Sequence, residues 1–197
     1  MSHVDSKDDL AQAFVTTEAF RYDAEKGFKL ASGAISPFYV DCRVLMAHPR
    51  PRRLVAELAC QALADLPGDC LGGLEIGAIA ISTAISDFAI GARPPREWRT
   101  FVVRKQAKDH GLGKLIEGAA RPGDRAILVD DVLTSGGSLL KTLHAAREHG
   151  LVVTHALVIV DRKEQDGRAR IEREGLRLIS LLTIDDLTNS LPTSQRG

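Results

Sequence analysis

Two adjacent carboxylates, Asp130 and Asp131, stand directly before Val132-Leu133-Thr134-Ser135-Gly136-Gly137-Ser138. The order has chemical meaning. Carboxylates accept hydrogen bonds from sugar hydroxyls or help to hold a divalent cation. Small residues let the backbone close around an anion, and the free N–H groups of a following helix donate to it. Thr134, Ser135 and Ser138 add hydroxyl donors. One ligand that needs both ends is a ribose 5-phosphate, with its 2- and 3-hydroxyls on the carboxylates and its phosphate in the loop. No Lys-Ser or Lys-Thr follows the glycines, so this is not a Walker A loop, and the dinucleotide pattern Gly-x-Gly-x-x-Gly is absent. The plainer alternative is a solvated strand-to-helix turn with Ser138 as the helix cap.

A second cluster, Arg104-Lys105-Gln106-Ala107-Lys108-Asp109-His110-Gly111, concentrates positive charge in one short stretch. A pyrophosphate group gains charge as its bond to a sugar breaks, and cations placed there stabilise the transition state selectively. On a loop they can also close over the reaction and exclude water. The alternative is a solvated basic loop with His110 at the surface. A third segment, Val160-Asp161-Arg162-Lys163-Glu164, ends an apolar run with an arginine. Its plain reading is a surface arginine.

These residues need elements to place them. Apolar spacing predicts helices over residues 8–22, 49–66, 79–90, 138–149, 168–174 and 184–191. Strands are expected over residues 28–30, 38–42, 71–74, 100–103, 126–129, 151–160 and 176–182, with a hairpin or strand-loop-strand formed by the first two. Residues 105–118 carry no sustained period and read as a long functional loop. Strands alternating with helices imply an α/β fold with a mainly parallel sheet covered on both faces. Ligands of such sheets bind beyond the carboxyl ends of the strands, where this chain puts its polar residues.

Composition sets outer limits. The 197 residues suit one domain, residues 1–197, with 44% hydrophobic and 26% charged residues. Formal net charge is zero, so nothing global argues for nucleic acid or an acidic membrane. Cys42, Cys60 and Cys70 form neither a disulfide framework nor a zinc-ligand pattern. The first ten residues are polar and acidic, unlike a signal or transit peptide, and no apolar run is long enough to span a bilayer. A cytoplasmic setting is expected.

Residues 127–138 resemble the phosphoribosyl pyrophosphate (PRPP) motif of the type I phosphoribosyltransferases, an acidic pair followed by a Thr/Ser/Gly loop. The basic cluster resembles the catalytic loop of the orotate phosphoribosyltransferases within that family. Phe28-Lys29-Leu30-Ala31-Ser32-Gly33-Ala34-Ile35-Ser36-Pro37-Phe38-Tyr39-Val40-Asp41 looks like their N-terminal strand-loop-strand, and Asp161-Arg162-Lys163-Glu164 like their Asp-Arg-x-Glu strand end. The similarity runs over residues 28–187.

The resemblance implies a type I phosphoribosyltransferase fold with a small hood built from residues 1–48 and the C-terminal end. It implies transfer of the 5-phosphoribosyl group of PRPP to orotate, giving orotidine 5′-monophosphate and pyrophosphate in pyrimidine biosynthesis. Lys108, His110, Asp130 and Asp131 would be catalytic. Arg104, Lys105, Lys108, His110, Ile76, Gly77 and residues Asp130, Asp131, Val132, Leu133, Thr134, Ser135, Gly136, Gly137 and Ser138 would bind PRPP. Thr134, Arg162, Phe38 and Tyr39 would hold orotate. Mg²⁺ would arrive on PRPP, near Asp130 and Asp131, with no separate protein metal site. A homodimer with shared active sites is implied, without nucleic acid or membrane. The chain departs from the pattern at Ala31, where some members carry lysine, and at Leu74-Glu75-Ile76-Gly77-Ala78, which lacks a lysine and a proline. Backbone N–H groups of Ile76, Gly77 and Ala78 would serve pyrophosphate there, and Glu75 would need Mg²⁺ or an arginine nearby. The other readings are a transferase for another base and a non-catalytic PRPP-sensing regulator.

Overall fold

The computed structural model describes residues 3–29, 33, 35–106 and 115–192. A sheet of six strands forms its centre: β5 (Cys70–Leu74), β6 (Arg99–Val103), β7 (Ile116–Gly118), β8 (Arg125–Leu133), β9 (Val152–Asp161) and β10 (Arg177–Thr183), ordered β10-β9-β8-β5-β6-β7. All neighbours are parallel except β7, which pairs antiparallel with β6. Along β8 the side chains alternate between two cores. Ile127 and Val129 join a cluster containing Leu10, Phe14, Leu45, Leu58, Ile81, Ile85 and Leu187. Those residues come from α1 (His3–Thr16), α2 (Cys42–Ala47), α3 (Pro49–Ala62), α4 (Gly77–Ile90) and α7 (Ile184–Asn189). Ala126 and Leu128 join Leu139, Leu143 and Ile171 on the other face, from α5 (Gly137–Glu148) and α6 (Gly167–Arg173). A strand covered on both faces must be apolar throughout, as this one is until Asp130.

The chain winds outward in both directions from the β5–β8 pair. Thus α4, which follows β5, and α5, which follows β8, lie on opposite faces and leave a crevice between them. The ladder between β5 and β8 ends at Gly72–Leu128, whereas that between β8 and β9 continues to Leu133–Asp161. Residues beyond Val129 therefore have one edge of the strand open.

A small hood covers this end. β1 (Phe20–Tyr22) pairs antiparallel with β4 (Phe38–Val40), and β2 (Phe28–Lys29) with β3 (Ile35–Ser36). Phe38 stacks on Phe20 at 6.1 Å and meets Tyr22 at 5.4 Å, while Tyr39 meets Phe28 at 5.6 Å.

Several boundaries differ from the sequence reading. The first helix ends at Thr16, because Glu18 takes a positive φ of 57° and the chain turns into β1. The expected hairpin of residues 28–30 with 38–42 is two nested ladders. Cys42 leaves the strand to open a helix that was not foreseen: Asp41 accepts from the Arg43 N–H at 3.0 Å and caps it. The loop of residues 105–118 closes in β7, an antiparallel return. β8 runs through the acidic pair instead of stopping before it. Short strands set by tertiary pairing carry little local signal.

Gly73 sits where β5 approaches β8. A methyl there would run into the Val129 carbonyl oxygen and the Ala78 side chain. Neither a central strand nor a buried helix start yields cheaply. Gly73→Ala should lower stability by about 3 kcal/mol and the melting temperature by about 5–10 °C. Thermal unfolding followed by circular dichroism measures it; an unchanged midpoint would contradict the packing described.

Candidate active site

The crevice beyond β5 and β8 holds a cavity of about 600 Å³ lined by Leu74, Lys105, Gln106, Asp130, Lys141 and residues 132–138. The β8 strand carries Asp130 into it with only 8% of its surface exposed. Asp130 Oδ1 accepts the Asp131 N–H at 3.0 Å, and Asp131 Oδ1 accepts the Val132 N–H at 2.8 Å. Among the described residues, no ion pair reaches either carboxylate. Burial first, and then the charge of Asp131, push the Asp130 carboxyl well above the usual carboxylate range. The same field reaches below the pair. The Cys42 thiol, 3.8 Å from the Asp131 carbonyl, is raised by burial and then by Asp131, Asp41 and Asp130.

Positive potential comes from helix ends. Gly136 is the N-cap of α5, with φ 76°, a left-handed conformation that glycine adopts freely, and no side chain caps the helix. Ser138 therefore lies inside the helix and is not its cap. Ile76 is the N-cap of α4, again with no side-chain cap. Two helix starts thus offer uncapped N–H groups on either side of the acidic pair. A methyl on Gly77 would lie 3.2 Å from Asp131 Oδ2, which fixes how closely the second helix approaches. Glu75 does not stand free beside this ring of donors: its Oε1 accepts the Lys105 N–H at 2.8 Å.

The sequence-predicted residues are placed unevenly. Asp130, Val132, Leu133, Thr134, Ser135, Gly136, Gly137, Ser138 and Lys105 come together at the cavity. Asp131, Ile76 and Gly77 flank it from the α4 side. Arg104 does not line it; its Nη1 pairs with Glu117 Oε1 at 3.2 Å across the β6–β7 hairpin. Phe38 and Tyr39 are engaged in the aromatic cluster of the hood, and the Tyr39 hydroxyl donates to Asp41 Oδ2 at 3.3 Å. Arg162 is 5% exposed, not a surface residue. Its N–H donates to Leu133 O at 3.0 Å, so the end of β9 is tied to the start of the phosphate loop. Lys108, His110 and Ala31 lie outside the described residues.

Sequence reasoning missed Lys141 and Arg170. Lys141, one turn into α5, lines the cavity, a position that helical spacing from Ser138 could have supplied. Arg170, on α6, donates to the Ser135 carbonyl at 2.7 Å and props the loop from behind; nothing local in the sequence signals that contact.

Two carboxylates with no ion pair among the described residues suit a hydrated divalent cation that brings most of its own oxygen ligands. Among the described residues no group of three or more His, Cys, Asp or Glu could hold a metal alone. Mg²⁺ carried by a phosphorylated sugar fits this donor set.

The buried acid also has a thermodynamic signature. Because its folded pKa is raised, the unfolded chain loses that proton first. Stability of the unliganded protein therefore falls as pH rises from the ordinary value of 3.8 toward the folded one. Asp130→Asn keeps the acceptor oxygen and removes the charge. It should raise the melting temperature at neutral pH by about 2–4 °C for each kcal/mol of relieved repulsion, and flatten the pH dependence. Calorimetry across pH checks this; a lower melting temperature would contradict it.

The fold agrees with known proteins. Residues 72–179 match the family model "Phosphoribosyl transferase domain". The orotate phosphoribosyltransferase of Pyrococcus abyssi is 38% identical over 170 residues, 85% of this chain and 89% of that protein. That of Aquifex aeolicus is 39% identical over 163 residues, 83% and 87% of the two chains. The crystal structure of Mycobacterium tuberculosis orotate phosphoribosyltransferase in complex with PRPP superposes with a TM-score of 0.72 at 32% identity, covering 93% of this chain and 92% of that one. The α/β architecture is that of the type I phosphoribosyltransferases, and the chain belongs to the orotate phosphoribosyltransferase family.

Proposed function

We propose that this protein transfers the 5-phosphoribosyl group of PRPP to N1 of orotate, releasing pyrophosphate and forming orotidine 5′-monophosphate, a step of pyrimidine biosynthesis. The observation that carries the reading is the Asp130–Asp131 couple, without an ion pair among the described residues, at the mouth of a Thr/Ser/Gly loop that opens an uncapped helix. Relatives at 34–39% identity carry the same name, and one neighbouring structure is a complex with PRPP.

In this reading the N–H groups at the start of α5, with the hydroxyls of Thr134, Ser135 and Ser138, take the 5-phosphate. Asp130 and Asp131 accept from the ribose hydroxyls. Their charge also favours the oxocarbenium-like centre that develops at C1 as the pyrophosphate bond lengthens. Mg²⁺, when bound, neutralises pyrophosphate charge. The N-terminus of α4, Lys105, and Lys108 and His110 of the basic loop stabilise the leaving group. Thr134 and Arg162 orient the base. No covalent nucleophile is required: the C1–O bond breaks toward pyrophosphate, the C1–N1 bond forms from orotate, and the N1 proton of orotate passes to pyrophosphate or water.

A homodimer with the basic loop acting on the partner's site belongs to the same proposal. It is supported by family membership and by the exposed Ile76, Ile79 and Ile90 at the start and along one side of α4. A cytoplasmic setting is proposed with it, in keeping with Cys42, Cys60 and Cys70 as free thiols.

The test is the absorbance loss of orotate with PRPP and Mg²⁺, run beside adenine, hypoxanthine and uracil. Turnover of orotate alone, dependent on both PRPP and Mg²⁺, is expected. Lys108→Ala should lower kcat by about 100-fold or more, as loss of a transition-state charge contact does. Consumption of another base instead of orotate would refute the substrate assignment, and near-normal turnover of the variant would refute the role of Lys108.

A further inference from the structure

Arg162 is held at more points than a substrate-binding arginine requires. Its N–H is tied to Leu133, and its Nη2 donates to Ser36 Oγ at 2.8 Å and to Glu164 Oε1 at 2.9 Å. A terminal guanidinium nitrogen has two hydrogens, and these contacts use both. The Nε is buried and has no acceptor among the described residues. Ser36 stands 126 residues earlier in the chain, on β3 of the hood. It is only 5% exposed, and its oxygen also accepts the Phe38 N–H at 3.2 Å. Glu164 lies two residues beyond Arg162, and its side chain is 30% exposed.

An unpaired buried N–H is costly, and native structures leave few of them. If Arg162 served only to pin the hood, Nη2 would suffice and Nε would gain nothing by pointing away from every acceptor among the described residues. The arrangement is that of a donor immobilised in advance. Two anchors, one neutral and one charged, fix the plane of the guanidinium and leave Nε uncommitted. A free arginine loses rotamer freedom when it binds, whereas one already fixed loses little.

We infer that Ser36 and Glu164 are positioning residues for base recognition, holding Arg162 so that its remaining N–H groups meet the acceptor oxygens of the base. The inference rests on the orotate reading given above. It also alters the mode of contact. With Nη2 spent on Ser36 and Glu164, the base cannot take a bidentate fork through Nη2 unless one anchor lets go. Recognition starts from the donors that are left, and the hood serine that helps to enclose the site also sets which donors those are.

Steady-state kinetics with orotate and PRPP varied in turn test this. Ser36→Ala and Glu164→Ala should each raise the KM for orotate about three- to tenfold, while kcat and the KM for PRPP stay within about twofold. Ser36→Thr and Glu164→Gln retain an acceptor oxygen and should restore the KM for orotate. Arg162→Ala serves as the reference and should raise it further. If Arg162→Ala raises the KM for orotate but Ser36→Ala and Glu164→Ala do not, the positioning role is overturned and the base site stands. Parallel losses in kcat and both KM values, with a lowered melting temperature, would mean a structural role only and also overturn it. If Arg162→Ala itself leaves the KM for orotate unchanged, the base-site assignment fails and the inference falls with it.

Discussion

The structure depends on a carboxylate pair that has no ion-pair partner among the described residues, at the end of its central strand. Buried like charges are unfavourable, and nothing among the described side chains neutralises Asp130. The surrounding architecture makes sense as what keeps that pair in place and open. β8 is covered on both faces and fixed between its neighbours, so its polar end is delivered to one location. The β5 ladder stops at Gly72, so the acidic end has room on one side. Two helices begin beside it without caps, and their free N–H groups await an anion. A ligand that is cationic or polyhydroxylic at one end and anionic at the other satisfies both demands together. That requirement narrows the chemistry more than any single residue does.

Rigidity is distributed unequally around the crevice. The phosphate loop is fixed from below by Arg170 at the Ser135 carbonyl and from the side by the Arg162 N–H at Leu133. Asp161, the residue before Arg162, accepts from the Lys163 N–H at 2.9 Å and pairs with Arg168 at 2.9 Å, so the end of β9 is also anchored. The hood, by contrast, rests on short ladders and aromatic contacts, and Ser36 joins it to Arg162 at the end of β9. In the proposed reading, phosphate recognition would be built on the sheet and base recognition on the seam between sheet and hood.

The sheet elements and the phosphate loop were legible in the sequence because their signals are local. Apolar runs over residues 126–129 and 151–160 identify strands covered on both faces, and the string from Asp130 to Ser138 carries its own chemistry. The hood was read less well. β1 and β3 are two or three residues long and exist through pairing with β4 and β2, which no window along the chain reveals. The short helix after Asp41 had a readable N-cap signal, an aspartate before an apolar segment, that the strand-like run over residues 38–42 masked. In the sequence, a functional role for Arg162 was suggested only by family resemblance. Its burial, and its dependence on a serine 126 residues away, are products of the fold. The same holds for Glu75, whose charge is troubling in sequence and is engaged by the Lys105 N–H in the structure.

The central claim is that the site keeps a buried carboxyl, Asp130, raised above the usual carboxylate range, and that the ligand meets it. Titration calorimetry of PRPP with Mg²⁺, at about pH 5 and in buffers of different ionisation enthalpy, counts the protons exchanged on binding. Subtracting the same titration of Asp130→Asn removes the protons that belong to PRPP itself. The account predicts a net proton release by the wild-type protein that the variant lacks. Equal proton exchange in the two, with PRPP bound equally well, would show that Asp130 neither carries the proton nor meets the ligand, and would contradict it.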